Sequence, residues 1–232
     1  MQDPRQRLIV ALDVSSAVAA RQIVATLGES VLIYKVGMQL YTAEGPAIVR
    51  DLVAAGRQVF LDLKYHDIPN TVACAVREAA QLGVRMLTVH AAGGARMLQA
   101  AVDAAANHSP APLVLGVTVL TSLDDGDLSK MGIRGSVVDQ ALRLGTLALG
   151  HGCKGLVASA HEAPALRGEL GNAFALVTPG VRPAGTGKGD QVRVVTPAEA
   201  IAAGASHIVV GRPITEAPDP AAEARAILGQ IA

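Results

Sequence analysis

Residues 8–27 read LIVALDVSSAVAARQIVATL, and the join at Leu12-Asp13-Val14-Ser15 separates two α/β architectures. Leu8–Leu12 is an apolar run without alternation, the pattern of a parallel strand covered on both faces. Ser15–Leu27 repeats its apolar positions at helical spacing, with alanine between them. An open doubly wound sheet usually carries a glycine fingerprint at its first turn, where a ligand's phosphates approach the backbone. Here that turn holds Asp13 and no glycine.

The same unit recurs along the chain. Runs rich in Val, Ile and Leu at Val31–Val36, Gln58–Leu63, Arg85–Val89, Pro112–Val119, Gly155–Ala158, Ala173–Val177 and His207–Val210 predict seven more buried strands. Alanine-rich periodic segments at Pro46–Ala55, Pro69–Gln81, Ala95–Ala106, Val137–Leu149 and Ala221–Ile231 predict helices between them. Gly28, Gly56, Gly83 and Gly204 follow such segments, as helix C-caps commonly do. Eight βα units with no composition break predict a single (β/α)₈ barrel domain over residues 1–232, near the lower size limit of that fold.

The composition narrows the function. Twenty basic and 20 acidic side chains give a net charge of zero, which argues against a broad electrostatic surface for nucleic acid or an anionic membrane. There is no Trp, and Tyr34, Tyr41, Tyr65, Phe60 and Phe174 are the only other aromatics, too few for base-stacking platforms. With 42 Ala and half the chain hydrophobic, the core is expected to be aliphatic. Cys74 and Cys153 form no disulfide framework or metal motif, read as small buried thiols, and fit a reducing cytoplasm. The N-terminal apolar run is shorter than a signal h-region, and no stretch approaches the ~20 apolar residues of a membrane span.

Only 17% of residues are charged, so ionisable groups at strand ends ask for a reason. The first strand ends at Asp13, the second carries Lys35 in Tyr34-Lys35-Val36-Gly37, and the third ends Asp62-Leu63-Lys64 before Tyr65-His66-Asp67. Residues i and i+2 of a strand share a face, so Asp62 and Lys64 are expected to point together into the barrel mouth. Barrel enzymes place their chemistry at that end. A lysine held against carboxylates stays protonated and can deliver a proton, while a fixed aspartate repels or orients an anionic substrate group. The constellation suits proton transfer at carbon. Asp67 reads either as the N-cap of the next helix or as a residue sent across a subunit contact.

Barrels often hold phosphate at loops 7 and 8. Loop 7 reads Thr178-Pro179-Gly180-Val181-Arg182-Pro183 and runs into the glycine-rich residues 184–191, which look like a lid and lack the Walker A order. Strand 8 ends Val210-Gly211-Arg212-Pro213, where a glycine admits a phosphate to the backbone and an arginine adds a charge-assisted fork. Lys188 reads as a solvated loop charge. Thr121 or Ser122 offers a hydroxyl to a polar ring, and His66, His90 and His161 read as structural hydrogen-bonding residues.

Asp62-Leu-Lys-Tyr-His-Asp-Ile-Pro-Asn-Thr71 resembles the signature of orotidine 5′-phosphate decarboxylase. The resemblance extends, in order, to Leu12-Asp13, Lys35-Val36-Gly37, Leu120-Thr121-Ser122, residues 178–183, Asp190-Gln191 and Gly211-Arg212-Pro213-Ile214-Thr215. It implies removal of the C6 carboxylate of orotidine monophosphate, giving UMP and CO₂ without cofactor or metal. By position it implies Lys64 as proton donor to C6, Asp62 facing the substrate carboxylate, and Lys35 and Asp13 at the ribose hydroxyls. Thr121 or Ser122 would contact the pyrimidine, Gln191 would bridge base and phosphate, and Arg182, Gly211 and Arg212 would hold the phosphate. Asp67, Ile68 and Thr71 would reach the partner's site in a homodimer. Ala158 stands where relatives often have Cys. Magnesium-dependent sugar-phosphate decarboxylases and aldolases of similar fold share the Asp-x-Lys-x-x-Asp core, but have Glu where this chain has Lys35. A non-catalytic nucleotide-phosphate-binding barrel is the remaining alternative, and predicts loss of charged groups that are all present.

Overall fold

The structure is a computed structural model that describes residues 3–183 and 194–232. Eight parallel strands follow one another around a closed barrel in chain order, the last pairing with the first. They are β1 (Leu8–Ala11), β2 (Ile33–Gly37), β3 (Gln58–Tyr65), β4 (Met86–His90), β5 (Leu113–Val117), β6 (Gly155–Val157), β7 (Ala175–Thr178) and β8 (His207–Val210). Each expected run contains one, so the (β/α)₈ reading holds, with ends displaced by one or two residues. β5 and β6 stop short of the expected Val119 and Ala158. There Val157 O accepts from both the Thr118 N–H and the Thr118 hydroxyl.

Helices follow every strand. In order they are α1 (Ala17–Leu27), α2 (Met38–Glu44), α3 (Ala47–Ala54), α4 (Pro69–Gln81), α5 (Ala95–Ala106), α6 (Asp125–Lys130), α7 (Val137–Gly150), α8 (Ala163–Leu170), α9 (Pro197–Ala202), α10 (Arg212–Thr215) and α11 (Pro220–Gln230). The units after β2, β5 and β8 each use two helices, a doubling that the apolar period did not announce. Local chemistry fixes several starts. Ser16 caps α1 by accepting from Ala19 N, and reciprocal capping boxes open α6 (Asp124 with Asp127), α7 (Ser136 with Asp139) and α9 (Thr196 with Glu199). Pro69 starts α4, where its missing N–H costs nothing.

Alternation along each strand divides the core. Leu8 and Val10 face the helices, while Ile9 and Ala11 join Ile33, Phe60, Met86, Leu115, Val177 and Val209 in a second apolar cluster that fills the barrel. One pleat further along β2 and β3 this inward face changes from Ile33 to Lys35 and from Phe60 to Asp62, and Asp13 follows Ala11 at the end of β1. The apolar plug thus forms the floor on which the charged groups stand. Among the described residues no helix is long and apolar enough to cross a membrane.

The opposite end of the barrel carries its own titratable group. The His207 imidazole is pushed down to about 4, first by burial and then by the Arg85 and Arg7 guanidinium groups, and its Nδ1 has no hydrogen-bond partner among the described residues. The unfolded chain binds this proton from about pH 6.5 downward and the folded chain does not, so stability is complete above pH 6.5 and falls towards pH 4. The shift is equivalent to about 3 kcal/mol. Urea unfolding at pH 7 and pH 4.5 is expected to show His207→Gln losing markedly less stability than the wild type between these values. Equal losses would contradict the assignment.

Candidate active site

A cavity of about 490 Å³ opens at the C-terminal ends of the strands. Asp13, Lys35, Asp62 and Lys64 line it from β1, β2 and β3, and Thr121, Arg182, Gly211 and Arg212 line it from the loops after β5, β7 and β8. Of the two hydroxyl candidates only Thr121 lines it, Ser122 being exposed.

The four charges form two ion pairs. Lys35 Nζ donates to Asp13 Oδ1 at 2.8 Å, with the Asp13 side chain 54% exposed. Lys64 Nζ donates to both Asp62 oxygens at 2.9 Å, and here the side chains are only 23% and 13% exposed. The second pair is the more shielded from water, so removing either member leaves a charge that solvent compensates poorly. Gly37 makes room for the first pair: a Cβ there would lie 3.0 Å from Lys35 Nζ and 3.3 Å from Asp13 Oδ1.

The expectation that Asp62 and Lys64 share a face by simple alternation needs correcting. Leu61 pairs with Leu87 and Tyr65 with Val89, so three residues of β3 stand opposite one residue of β4. Lys64 adopts φ +51°, the sole positive value among described residues other than glycine. That conformation costs about 1–3 kcal/mol, and is kept where surrounding contacts impose it. The two side chains meet because the strand bulges, not because it is regular.

Asp67, Ile68 and Thr71 do not enter this cavity. Asp67 and Thr71 line a separate hollow of about 350 Å³, shared with Lys64, Tyr65 and His66, and Ile68 is 67% exposed. Nor is Asp67 the N-cap of α4. That position is Ile68, whose N–H donates to Asp67 Oδ1 at 2.6 Å. Among the described residues Lys64 is the one that borders both hollows. Gln191 and Lys188 lie outside the described residues, but the flanks of their segment are joined by a bridge between Val181 and Val195, and Arg182 N donates to Val195 O at 2.9 Å.

The His66 and His90 rings lie 5.3 Å apart. Burial lowers the His90 pKa, His66 and Lys64 add to that, and Asp62 opposes it. His161 is exposed, and its backbone N–H donates to Ser159 Oγ. Cys153 is buried as expected but Cys74 is exposed, on the outer side of α4, because an alanine-rich helix gives a weak signal of which face turns inward. Among the described residues no three His, Cys, Asp or Glu side chains are grouped to share a metal ion. Gln39 and Glu216 line the cavity without having been singled out, since neither lies in a strand or a recognisable motif.

Residues 6–227 match the family described as orotidine 5′-phosphate decarboxylase / HUMPS. The chain is 54% identical over 224 residues to the orotidine 5′-phosphate decarboxylase of Anaeromyxobacter sp. (strain K), covering 97% of both chains. It is 52% identical over 233 residues to that of Moorella thermoacetica, covering 98% of this chain and 92% of the relative. Among solved structures, the orotidine 5′-phosphate decarboxylase of Lactobacillus acidophilus superposes with a TM-score of 0.86 at 39% identity, covering 97% of this chain and 98% of that one.

Proposed function

The chain belongs to the orotidine 5′-phosphate decarboxylase / HUMPS family, and from that premise we propose which of its residues carry the reaction. It is a decarboxylase of pyrimidine biosynthesis that converts orotidine 5′-monophosphate to UMP and CO₂. The observation that carries the residue assignment is the shielded Lys64–Asp62 pair standing on the apolar floor of the cavity.

The C6–carboxylate bond breaks, its electron pair stays on C6, and CO₂ leaves. The Lys64 ammonium faces the developing charge and passes its proton to C6, giving UMP. A fixed positive group aimed at charge that exists only in the transition state accelerates the step without tightening substrate binding. Asp62 faces the substrate carboxylate, so like charges oppose each other in the bound state and are relieved as CO₂ departs. Lys35 and Asp13 take the ribose hydroxyls, and Thr121 the pyrimidine. Arg182, Gly211 and Arg212 hold the phosphate, with Gln191 bridging base and phosphate. The phosphate is remote from C6, and its binding free energy holds the reacting carbon against Lys64.

The functional unit is a homodimer, with Asp67, Ile68 and Thr71 of each subunit completing the other's site. An exposed Ile68 and an Asp67 that stays outside its own cavity support this arrangement. The substrate is a small molecule, each chain is one domain over residues 1–232, and the protein works in the cytoplasm.

Among the described residues, both aspartates that line the cavity already carry a lysine counter-charge. The reaction on this reading needs neither metal nor cofactor. Purified protein in excess EDTA is expected to remove the absorbance of orotidine 5′-monophosphate as fast as untreated protein. Dependence on added magnesium would reject the mechanism in favour of a metal-assisted one.

A further inference from the structure

We infer that Thr88 is a positioning residue for the decarboxylation, its one hydroxyl fixing both the Lys64 backbone and the Asp62 carboxylate. The inference rests on Lys64 and Asp62 being the reacting pair. Asp62, Leu63 and Lys64 lie between the β3 positions paired with Leu87 and Val89, so Thr88 alone faces all three across the sheet. A bulge of this kind leaves backbone groups outside the ladder. The Lys64 N–H is such a group, and it donates to Thr88 Oγ1 at 2.9 Å. The hydroxyl in turn donates to Asp62 Oδ1 at 3.0 Å, and Asp62 accepts from Lys64 Nζ at 2.9 Å. The contacts close a ring that begins at the Lys64 backbone and ends at its ammonium.

Closing that ring takes one atom that accepts and donates at once, which a hydroxyl does and a methyl group does not. Thr88 is fully buried, so water has no access to stand in for it. It does not line the cavity, and therefore acts through Lys64 and Asp62 rather than on substrate. Met86, one pleat earlier on the same inward face, is part of the apolar plug, and an apolar residue is what barrel packing alone would put at 88.

The test compares wild type, Thr88→Val and Thr88→Ser by kcat and KM for orotidine 5′-monophosphate, UMP affinity and thermal unfolding. Valine keeps the shape and removes both hydrogen bonds, so kcat is expected to fall about 30- to 100-fold, with KM and UMP affinity within about threefold of wild type. Serine keeps the hydroxyl and is expected to retain at least about a third of kcat. A valine enzyme within threefold of wild type, a serine enzyme as slow as the valine one, or UMP affinity and Tm falling in step with kcat would each overturn the inference. If the valine variant does not accumulate folded, Thr88→Cys against Thr88→Ser decides it. The weakly bonding thiol is expected to be at least about tenfold slower, and equal rates would overturn the inference. Full activity in Lys64→Ala would overturn the underlying reading instead, a result distinct from a fast Thr88→Val enzyme beside an inactive Lys64→Ala.

Discussion

Replacing Lys64 by alanine is expected to lower kcat about 10⁴-fold, the upper end of what a positioned proton donor contributes, while UMP binds nearly as well as to the wild type. Two losses act together. The ammonium proposed to face C6 is gone, and Asp62, only 13% exposed, is left with the Thr88 hydroxyl but without its counter-charge. A carboxylate in that state repels the substrate carboxylate more strongly, so KM for orotidine 5′-monophosphate is expected to rise as well. UMP has no carboxylate at C6, and on the proposed assignment it is held by its phosphate and ribose. Alanine keeps the Cβ, so the φ +51° turn is no more strained than before. Steady-state kinetics and UMP titration read the two effects separately. Activity within tenfold of wild type would remove Lys64 from the proton-donor role.

Mixing Lys64→Ala subunits with Asp67→Ala subunits is expected to restore activity that neither variant has alone. If each site takes Lys64 from one chain and Asp67 from the other, a mixed dimer holds one intact site and one doubly altered site. Random exchange of equal amounts makes half the dimers mixed, so specific activity is expected to reach about a quarter of wild type. Asp67 and Thr71 border a hollow outside the cavity, which Lys64 also lines. A mixture as inactive as its components, after exchange is verified by tagged subunits, would confine each site to one chain.

The architecture was readable in the sequence because parallel barrel strands are covered on both faces. Leu8–Leu12 and Ile208–Val210 are apolar throughout, so Asp13, Lys35 and Asp62 stand out against them. What was not readable depends on register. Alternation places Asp62 and Lys64 on one face, yet the observed contact comes from a bulge, and bulges leave no mark in a period of two. Thr88 was missed for a related reason. Within Met86-Leu-Thr-Val-His90 a threonine is an ordinary strand residue, and only its position opposite the bulge gives the hydroxyl a task. Asp67 preceding Ile68-Pro69 has the composition of a helix cap. The cap falls one residue later, because the first turn of α4 begins at Pro69 itself. Cys74 is exposed on a helix whose alanines blur the line between inner and outer faces.

The bridge between Val181 and Val195 has a consequence for how this barrel can vary. It pairs described residues on either side of 184–193, and Arg182 is anchored to Val195 O through its own backbone N–H. Variation is therefore constrained at Val181 and Val195 themselves, because loosening their pairing would release the Arg182 backbone from the cavity wall.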